Sequence, residues 1–468
     1  MKLTFWGAAG TTTGSLHLLE TEGERTVLDC GLFQGRRAEA RERNTTWPCP
    51  PESVRQVILS HAHIDHCGNL PTFVREGFAG PIHCTAATGD LARSLLLDSA
   101  YIQEKDAEFT SKIRRRRGEP PVSPLYTVED AERALPHLVT MGYYRTASLS
   151  RHIDLKFLDA GHILGSAICQ LDVSENGRPV RLVFSGDIGR GKNAILRDPE
   201  IPSDTDYLIM ESTYGNRRTD PVEELRGRLR EIVTHVADRG GKLIIPAFSV
   251  GRTQEIVYQL NILFNEGELP EIPCFVDSPL SANVTQVFRM HPECYNRPVR
   301  EILLHDPNPF GFETLRYVQS VDESKALNDF AGPCIIISAS GMCEAGRILH
   351  HLRNSIGDPK NCVLIVGFQA EHTLGRKIVE RQQKVRIFGE EHVLRCEVRV
   401  LNGFSAHANA DELRDFAFRV KERGDRLRKI FLVHGEADQQ EPLAAYLRDL
   451  LGLEVLIPAR GDSFELKG

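Results

Sequence analysis

The chain has 468 residues, 41% hydrophobic and 26% charged, with a net charge of −7 at neutral pH. That length suits two or three folding units, and the composition is ordinary for a globular protein, not a disordered or fibrous one. No apolar run approaches the ~20 residues of a bilayer span, and 11 cysteines without a CxxC pair argue against a disulfide frame or a cysteine zinc site.

Residues 1–6 read as a strand and lack a signal-peptide pattern, so the expected location is cytoplasmic, with no membrane association. The glycine-rich stretch from Gly7 to Ser15 lacks the Walker lysine and the GxGxxG order. It predicts a loop between two strands and no nucleotide cofactor. The apolar run 54–59 predicts a buried strand. His61-Ala-His63-Ile-Asp65-His66 follows it directly. Three imidazoles and one carboxylate in so short a space suit a borderline-soft divalent ion, zinc by default. A helix is predicted over 86–113, and strands over 153–158 and 180–184.

Three more candidates stand at the ends of strand-like runs beside glycine: His162, Asp187 and His434. Each alone reads as a satisfied polar residue. Together they repeat one design. It gives His61, His63 and His162 to one ion and Asp65, His66 and His434 to a second, with Asp187 shared. Two zinc ions per chain would suit hydrolysis by metal-activated water.

Between these stretches the pattern changes. A helix over 221–239, a strand over 242–246, a helix over 253–264, a strand over 273–277, a strand over 334–338, a helix over 344–352 and a strand over 361–366 alternate regularly. Such alternation predicts a three-layer α/β unit with a largely parallel sheet. From about Leu401 the chain returns to supply His407, a helix over 409–420, His434 and a strand over 454–457. The expected organisation is therefore 1–212 and 401–468 as one domain, with 213–400 inserted.

The HxHxDH motif with the single His, single Asp and late His resembles the metallo-β-lactamase superfamily. Glu211-Ser-Thr-Tyr-Gly215, Phe404-Ser-Ala-His407 and Val433-His434-Gly-Glu436 resemble, more narrowly, the β-CASP nucleic-acid nucleases. Within that group the chain is similar to the bacterial and archaeal ribonucleases related to the pre-mRNA 3′-end cleavage endonuclease. The resemblance runs from Gly7 to about Pro458. It implies a four-layer αββα metallo-β-lactamase domain with an inserted β-CASP domain. It also implies hydrolysis of single-stranded RNA, endonucleolytic with 5′-to-3′ trimming as a second mode, and a homodimer. His at position 434 favours RNA over DNA, because the DNA-repair branch has an apolar residue there.

The residue types fit that chemistry. Asp65 can orient the attacking water, and His407 can protonate the leaving oxygen if a carboxylate such as Glu211 keeps it charged. The resemblance gives His407 and Glu211 these roles. It also matches Asp29 to an early aspartate that orients a ligand histidine, a usual task for such carboxylates; the bland alternative is a turn aspartate. Ser338 and Ser340 could present hydroxyls to phosphate or cap the helix after them. Arg252 and Arg376 are candidate phosphate contacts. His372 stands where related sequences have glycine more often. Arg114 to Arg117 reads equally as a solvated helix end or as an arm that guides RNA. Two other functions compete: a small-molecule thioester or lactam hydrolase, and a non-catalytic RNA-binding subunit. The first is disfavoured by Glu211 and His407, the second by the complete ligand set.

Overall fold

The computed structural model describes residues 1–175 and 177–468. They divide into two compact units. One comprises Met1–Gly191, Asp198–Arg218 and His407–Gly468; the other comprises Lys192–Arg197 and Thr219–Ala406.

The first unit holds two seven-stranded sheets. One runs in the order Ser463–Glu465, Lys2–Phe5, His17–Thr21, Glu24–Leu28, Gln56–Ile58, Ile82–Thr85, Leu138–Met141. The other runs Glu454–Leu456, Lys429–Val433, Tyr207–Glu211, Arg178–Phe184, Ala167–Glu175, Ile153–Asp159, Thr146–Ser148. Alternation along the strands explains the layering. Tyr207 and Ile209 enter the core shared by the two sheets, where they meet Leu3, Phe5, Leu28 and Ile58. Leu208 and Met210 point the other way, into a second core closed by Leu413, Phe416, Leu443 and Leu447. Those four residues lie on the helices Ala410–Glu422 and Ala437–Leu451. A strand buried on both faces reads as an unbroken apolar run, and 207–210 does so. The long helix Ala86–Arg116 packs on Ile82–Thr85 and Leu138–Met141 of the first sheet. The layers are therefore helix, sheet, sheet, helix. Each fully buried Leu or Phe contributes about 1.5–3 kcal/mol.

The second unit is a six-stranded, all-parallel sheet in the order Leu315–Val318, Cys274–Asp277, Cys334–Ser338, Lys242–Pro246, Cys362–Ile365, Glu397–Val400. Helices cover it, as the βα alternation predicts. One expectation fails here. The helix after Ser338 runs Ile348–Ser355, not 344–352. Gly346 takes φ +81°, which breaks the helix path, and the Glu344 carboxylate accepts the Leu374 N–H at 2.6 Å.

Among the described residues no helix is long and apolar enough to cross a membrane.

Candidate metal centre

The centre lies in the first unit, at strand ends. The strand Gln56–Ile58 is parallel to both neighbours, so its C-terminal end opens into a loop. His61 and His63 occupy that loop, and the one-turn helix Ile64–Cys67 carries Asp65 and His66. Ser60 fixes the departure: its N–H donates to Asp29 Oδ1 (2.8 Å) and its hydroxyl to Asp29 Oδ2 (2.9 Å). Asp29 itself follows Glu24–Leu28 with φ +58°, a conformation that turns its carboxylate under the loop. Its Oδ2 lies 2.6 Å from His66 Nδ1.

His162, Asp187 and Glu211 follow Ile153–Asp159, Arg178–Phe184 and Tyr207–Glu211, the last as its final residue. Gly186, before Asp187, takes φ +53°, and a Cβ there would lie 2.6 Å from Ser60 Cβ, so only glycine lets Asp187 reach the loop. His434 follows Lys429–Val433 with φ +51°. Its N–H donates to the Ala8 carbonyl (2.7 Å), which ties the glycine-rich loop to the site. His407 is placed from both sides. Its neighbour Ala408 donates its N–H to the Ile188 carbonyl (2.8 Å), and Asn409 caps the next helix in a reciprocal bond pair with Glu412.

Two donor groups result. His63 Nδ1 lies 3.1 Å from both His61 Nε2 and His162 Nε2. Asp187 Oδ2 lies 3.4 Å from His61 Nε2 and 3.5 Å from His162 Nε2. In the second group His434 Nε2 lies 3.1 Å from His66 Nε2 and 3.3 Å from Asp65 Oδ2. Asp187 Oδ1 is 3.3 Å from His66 Nε2. One carboxylate thus faces both groups. Glu211 is fully buried. Its oxygens accept the Ile188 N–H (2.6 Å) and the Thr213 N–H (3.3 Å), and both lie 3.2 Å from His407 Nδ1.

Charge follows burial. Desolvation pushes His61 and His162 well below the usual histidine value and His63 down to about 4, so these rings stay neutral with lone pairs available. Burial acts the same way on His66 and His407. On His66, Asp187 and Asp29 outweigh it and raise the value well above normal. On His407, Glu211 and Asp187 outweigh it and raise the value to about 9.

The donor set fits metal ions. A single proton at His63 Nδ1 could satisfy only one of its two imidazole neighbours, whereas a cation accepts all the lone pairs. Asp187 Oδ1 and His162 Nδ1 are buried without a hydrogen-bond partner among the described residues. Imidazole nitrogens mixed with carboxylates match zinc.

Two supporting residues escaped the sequence reading. The Thr213 hydroxyl lies 3.0 Å from His434 Nδ1 and donates to the His434 carbonyl (3.0 Å). The Ser60 hydroxyl lies 3.1 Å from His61 Nδ1. Thr213 stands inside the Glu211–Gly215 stretch, which was the only available signal. Cys67 is buried, and burial pushes its thiol far up, so it packs as an inert side chain.

The remaining candidates lie in the second unit. Arg252 is buried, with Nη1 2.9 Å from Glu255 Oε2. Arg376 is partly exposed and donates to Glu380 (2.7 Å). The Ser338 hydroxyl donates to the Asp277 carbonyl (2.8 Å), and the Ser340 hydroxyl accepts the Glu344 N–H (3.2 Å). Exposed His372 takes φ +68°, a backbone conformation that glycine adopts more readily.

A helix–sheet–sheet–helix sandwich with histidines and aspartates converging on one shared carboxylate at its strand ends defines a metal-dependent hydrolase of the metallo-β-lactamase type. Comparison with known families agrees: residues 9–224 match the metallo-beta-lactamase superfamily, 253–378 the Beta-Casp domain, and 391–458 the Zn-dependent metallo-hydrolase RNA specificity domain. The chain belongs to the β-CASP ribonuclease family of that superfamily. It is 37% identical to Ribonuclease TTHA0252 of Thermus thermophilus, over 100% of this chain and 98% of that one. It is 31% identical to the RNase J-like protein of Methanocaldococcus jannaschii, over 98% of each. It is also 31% identical to Transcription termination factor FttA of the same organism, over 100% of this chain and 72% of that one. A crystal structure of a protein of unknown function from Enterococcus faecalis aligns over 99% of both chains with a TM-score of 0.57 and 14% identity, a likeness of fold.

Proposed function

We propose that the protein is a dizinc ribonuclease that hydrolyses phosphodiester bonds of single-stranded RNA with water as the nucleophile. The observation that carries this reading is Asp187: one buried carboxylate faces two converging donor groups and lies 3.9 Å from the Nδ1 of His407. His61, His63 and His162 would hold one ion, Asp65, His66 and His434 the other, and Asp187 both. Bound there, zinc supplies Lewis-acid charge for the phosphoryl oxygens and makes hydroxide accessible near neutral pH.

The chain's own residues do the rest. Asp29 and Thr213 hold the His66 and His434 rings in place through their Nδ1 atoms, leaving each Nε2 directed into the site. Glu211 keeps His407 Nδ1 protonated, so His407 Nε2 is the atom that hands a proton to the leaving oxygen. The half-buried Asp65 carboxylate can accept a hydrogen bond from the attacking water. Support for RNA comes from the relatives named as ribonucleases and from the match to a domain described by its RNA specificity.

The test is zinc content and cleavage measured on one sample, with RNA labelled separately at each end. About two zinc ions per chain and cleavage lost in Asp187→Ala are expected. The two labels separate internal cuts from trimming. Bound zinc with thioester hydrolysis and no RNA cleavage would overturn the proposal.

A further inference from the structure

The long helix Ala86–Arg116 starts beside the metal centre and ends far from it. Thr85 and Thr88 at its start both donate to the Gly165 carbonyl (2.7 and 2.8 Å), in the loop that carries His162. Its 31 residues extend about 45 Å at 1.5 Å per residue. The far end carries Lys112 and the arginines 114–117, five cations without an acid among residues 112–117. A second helix, Arg37–Asn44, lies against that end. Arg37 Nη2 donates to Asp106 Oδ2 (2.8 Å), and Arg41 Nη1 donates to the Ser123 carbonyl (3.3 Å). It brings more arginines, with Arg36 just before it.

The helix dipole explains only part of this. Consecutive residues on a helix are turned by about 100°, so four guanidiniums fan around the end and cannot all face the last carbonyls. Arg114 pairs with Glu119 (3.0 Å). Arg36, Lys112, Arg116 and Arg117 are exposed and have no ion-pair partner among the described residues. In a chain of net charge −7, the cluster is a local excess of positive charge, even with Glu39, Asp106 and Glu119 paired to some of its arginines, and such an excess favours an anion.

Two observations favour a single-stranded nucleic acid over an acidic protein. Phe109, 66% exposed, stands one turn before this cluster, as a base-stacking platform would. The loop that leads to Arg36 is also tied back to the glycine-rich loop beside the metal centre, which gives a strand a continuous path between the two. Gly435 N–H donates to the Thr11 carbonyl (3.1 Å), and Gln34 N–H donates to Thr13 Oγ1 (3.2 Å), two residues before Arg36.

We infer that the end of Ala86–Arg116 and the flank of Arg37–Asn44 form a ridge that holds single-stranded RNA several nucleotides away from the cut. The inference rests on the ribonuclease reading. Phosphate contacts of this kind fix the strand without reading its sequence. The ridge therefore favours long strands over short ones, whatever their bases.

The test uses the zinc-loaded full chain on ice with fluorescent phosphorothioate-linked oligouridylates of 6 and 30 nucleotides, read by anisotropy across a salt series. The variant is Arg36→Ala, Lys112→Ala, Arg116→Ala and Arg117→Ala combined. The variant should bind the 30-mer about tenfold or more weakly, and its slope of log affinity against log salt should flatten by about 0.7 for each phosphate left unneutralised. The 6-mer should bind as before. With ordinary RNA, KM for the long strand should rise while kcat on the short strand is unchanged. Equal affinity and equal slope for the 30-mer in variant and wild type would overturn the ridge. A wild type that cuts no RNA yet loses long-strand binding in the variant would overturn the ribonuclease reading and support the ridge.

Discussion

Asp29 and His66 are bound to each other, Oδ2 to Nδ1 at 2.6 Å, although 37 residues separate them. The carboxylate fixes which nitrogen of His66 faces the metal centre and also accepts two bonds from Ser60. Asp29→Ala should weaken zinc affinity about 10–100-fold, the usual effect of losing such a partner. Chelator competition measures this. Excess zinc should restore cleavage, and failure to restore it would mean that Asp29 does more than orient His66.

His407→Gln should retain both metals and lose about 10²–10⁴ in rate. The loss should shrink on a substrate with a better leaving group, since less protonation is needed. A general acid works only while protonated, so activity falls as pH rises through its pKa. Glu211 holds that value up against burial. Glu211→Gln should therefore shift the alkaline limb of the rate profile to lower pH. An unmoved limb would assign the proton to another group.

His17 is fully buried between Phe5 and Phe184, with ring centroids 5.2 and 5.6 Å away. Neither ring nitrogen has a hydrogen-bond partner among the described residues. Burial, with His66 and His434 nearby, pushes its pKa down to about 3. Only the unfolded chain takes up a proton there between about pH 6.5 and 3, so stability is lost as pH falls through that window. His17→Phe should raise stability at neutral pH by about 1–3 kcal/mol, the cost of an unsatisfied buried polar group, and flatten the decline toward acid. Denaturant melts at pH 7 and pH 5 compare the two slopes.

Asp277, buried at the end of Cys274–Asp277, accepts bonds from Arg347 (2.6 Å) and Ser324 (2.6 Å) and lies 2.6 Å from His351 Nε2. Burial raises its carboxyl, but the bonds from His351, Ser324 and Arg347 together lower it below the usual range. The stabilisation is present above the unfolded carboxyl value near 4 and is lost as pH falls through the lower folded one. Asp277→Asn should cost about 2–4 kcal/mol of stability at neutral pH. It should leave the zinc content of the first unit unchanged.

The donors that the structure brings together were legible because HxHxDH directly follows a short β-rich run and His162, Asp187 and His434 each stand at a strand end beside glycine, signals that lie within ten residues of chain. The parallel sheet of the second unit was legible in the regular alternation of short apolar runs with helical stretches. Thr213 was not, because the ring it orients is 221 residues away and no local pattern encodes that meeting. The start of Ile348–Ser355 was missed because Glu344, a good helix former, bonds to Leu374 instead. The pairing of Arg252 with Glu255 obeys ordinary i,i+3 helix spacing and could have been read in advance.

His66 and His434 face each other at 3.1 Å across 368 residues of chain. During synthesis, a nascent polypeptide shorter than 434 residues has only Asp65, His66 and the shared Asp187 for its second donor group. His407 is likewise absent until late. Translation thus supplies the first donor group early and completes the second group and the proton donor only near the end. For an enzyme of the kind proposed here, that order keeps a half-made chain inert while it is still attached to the message that encodes it.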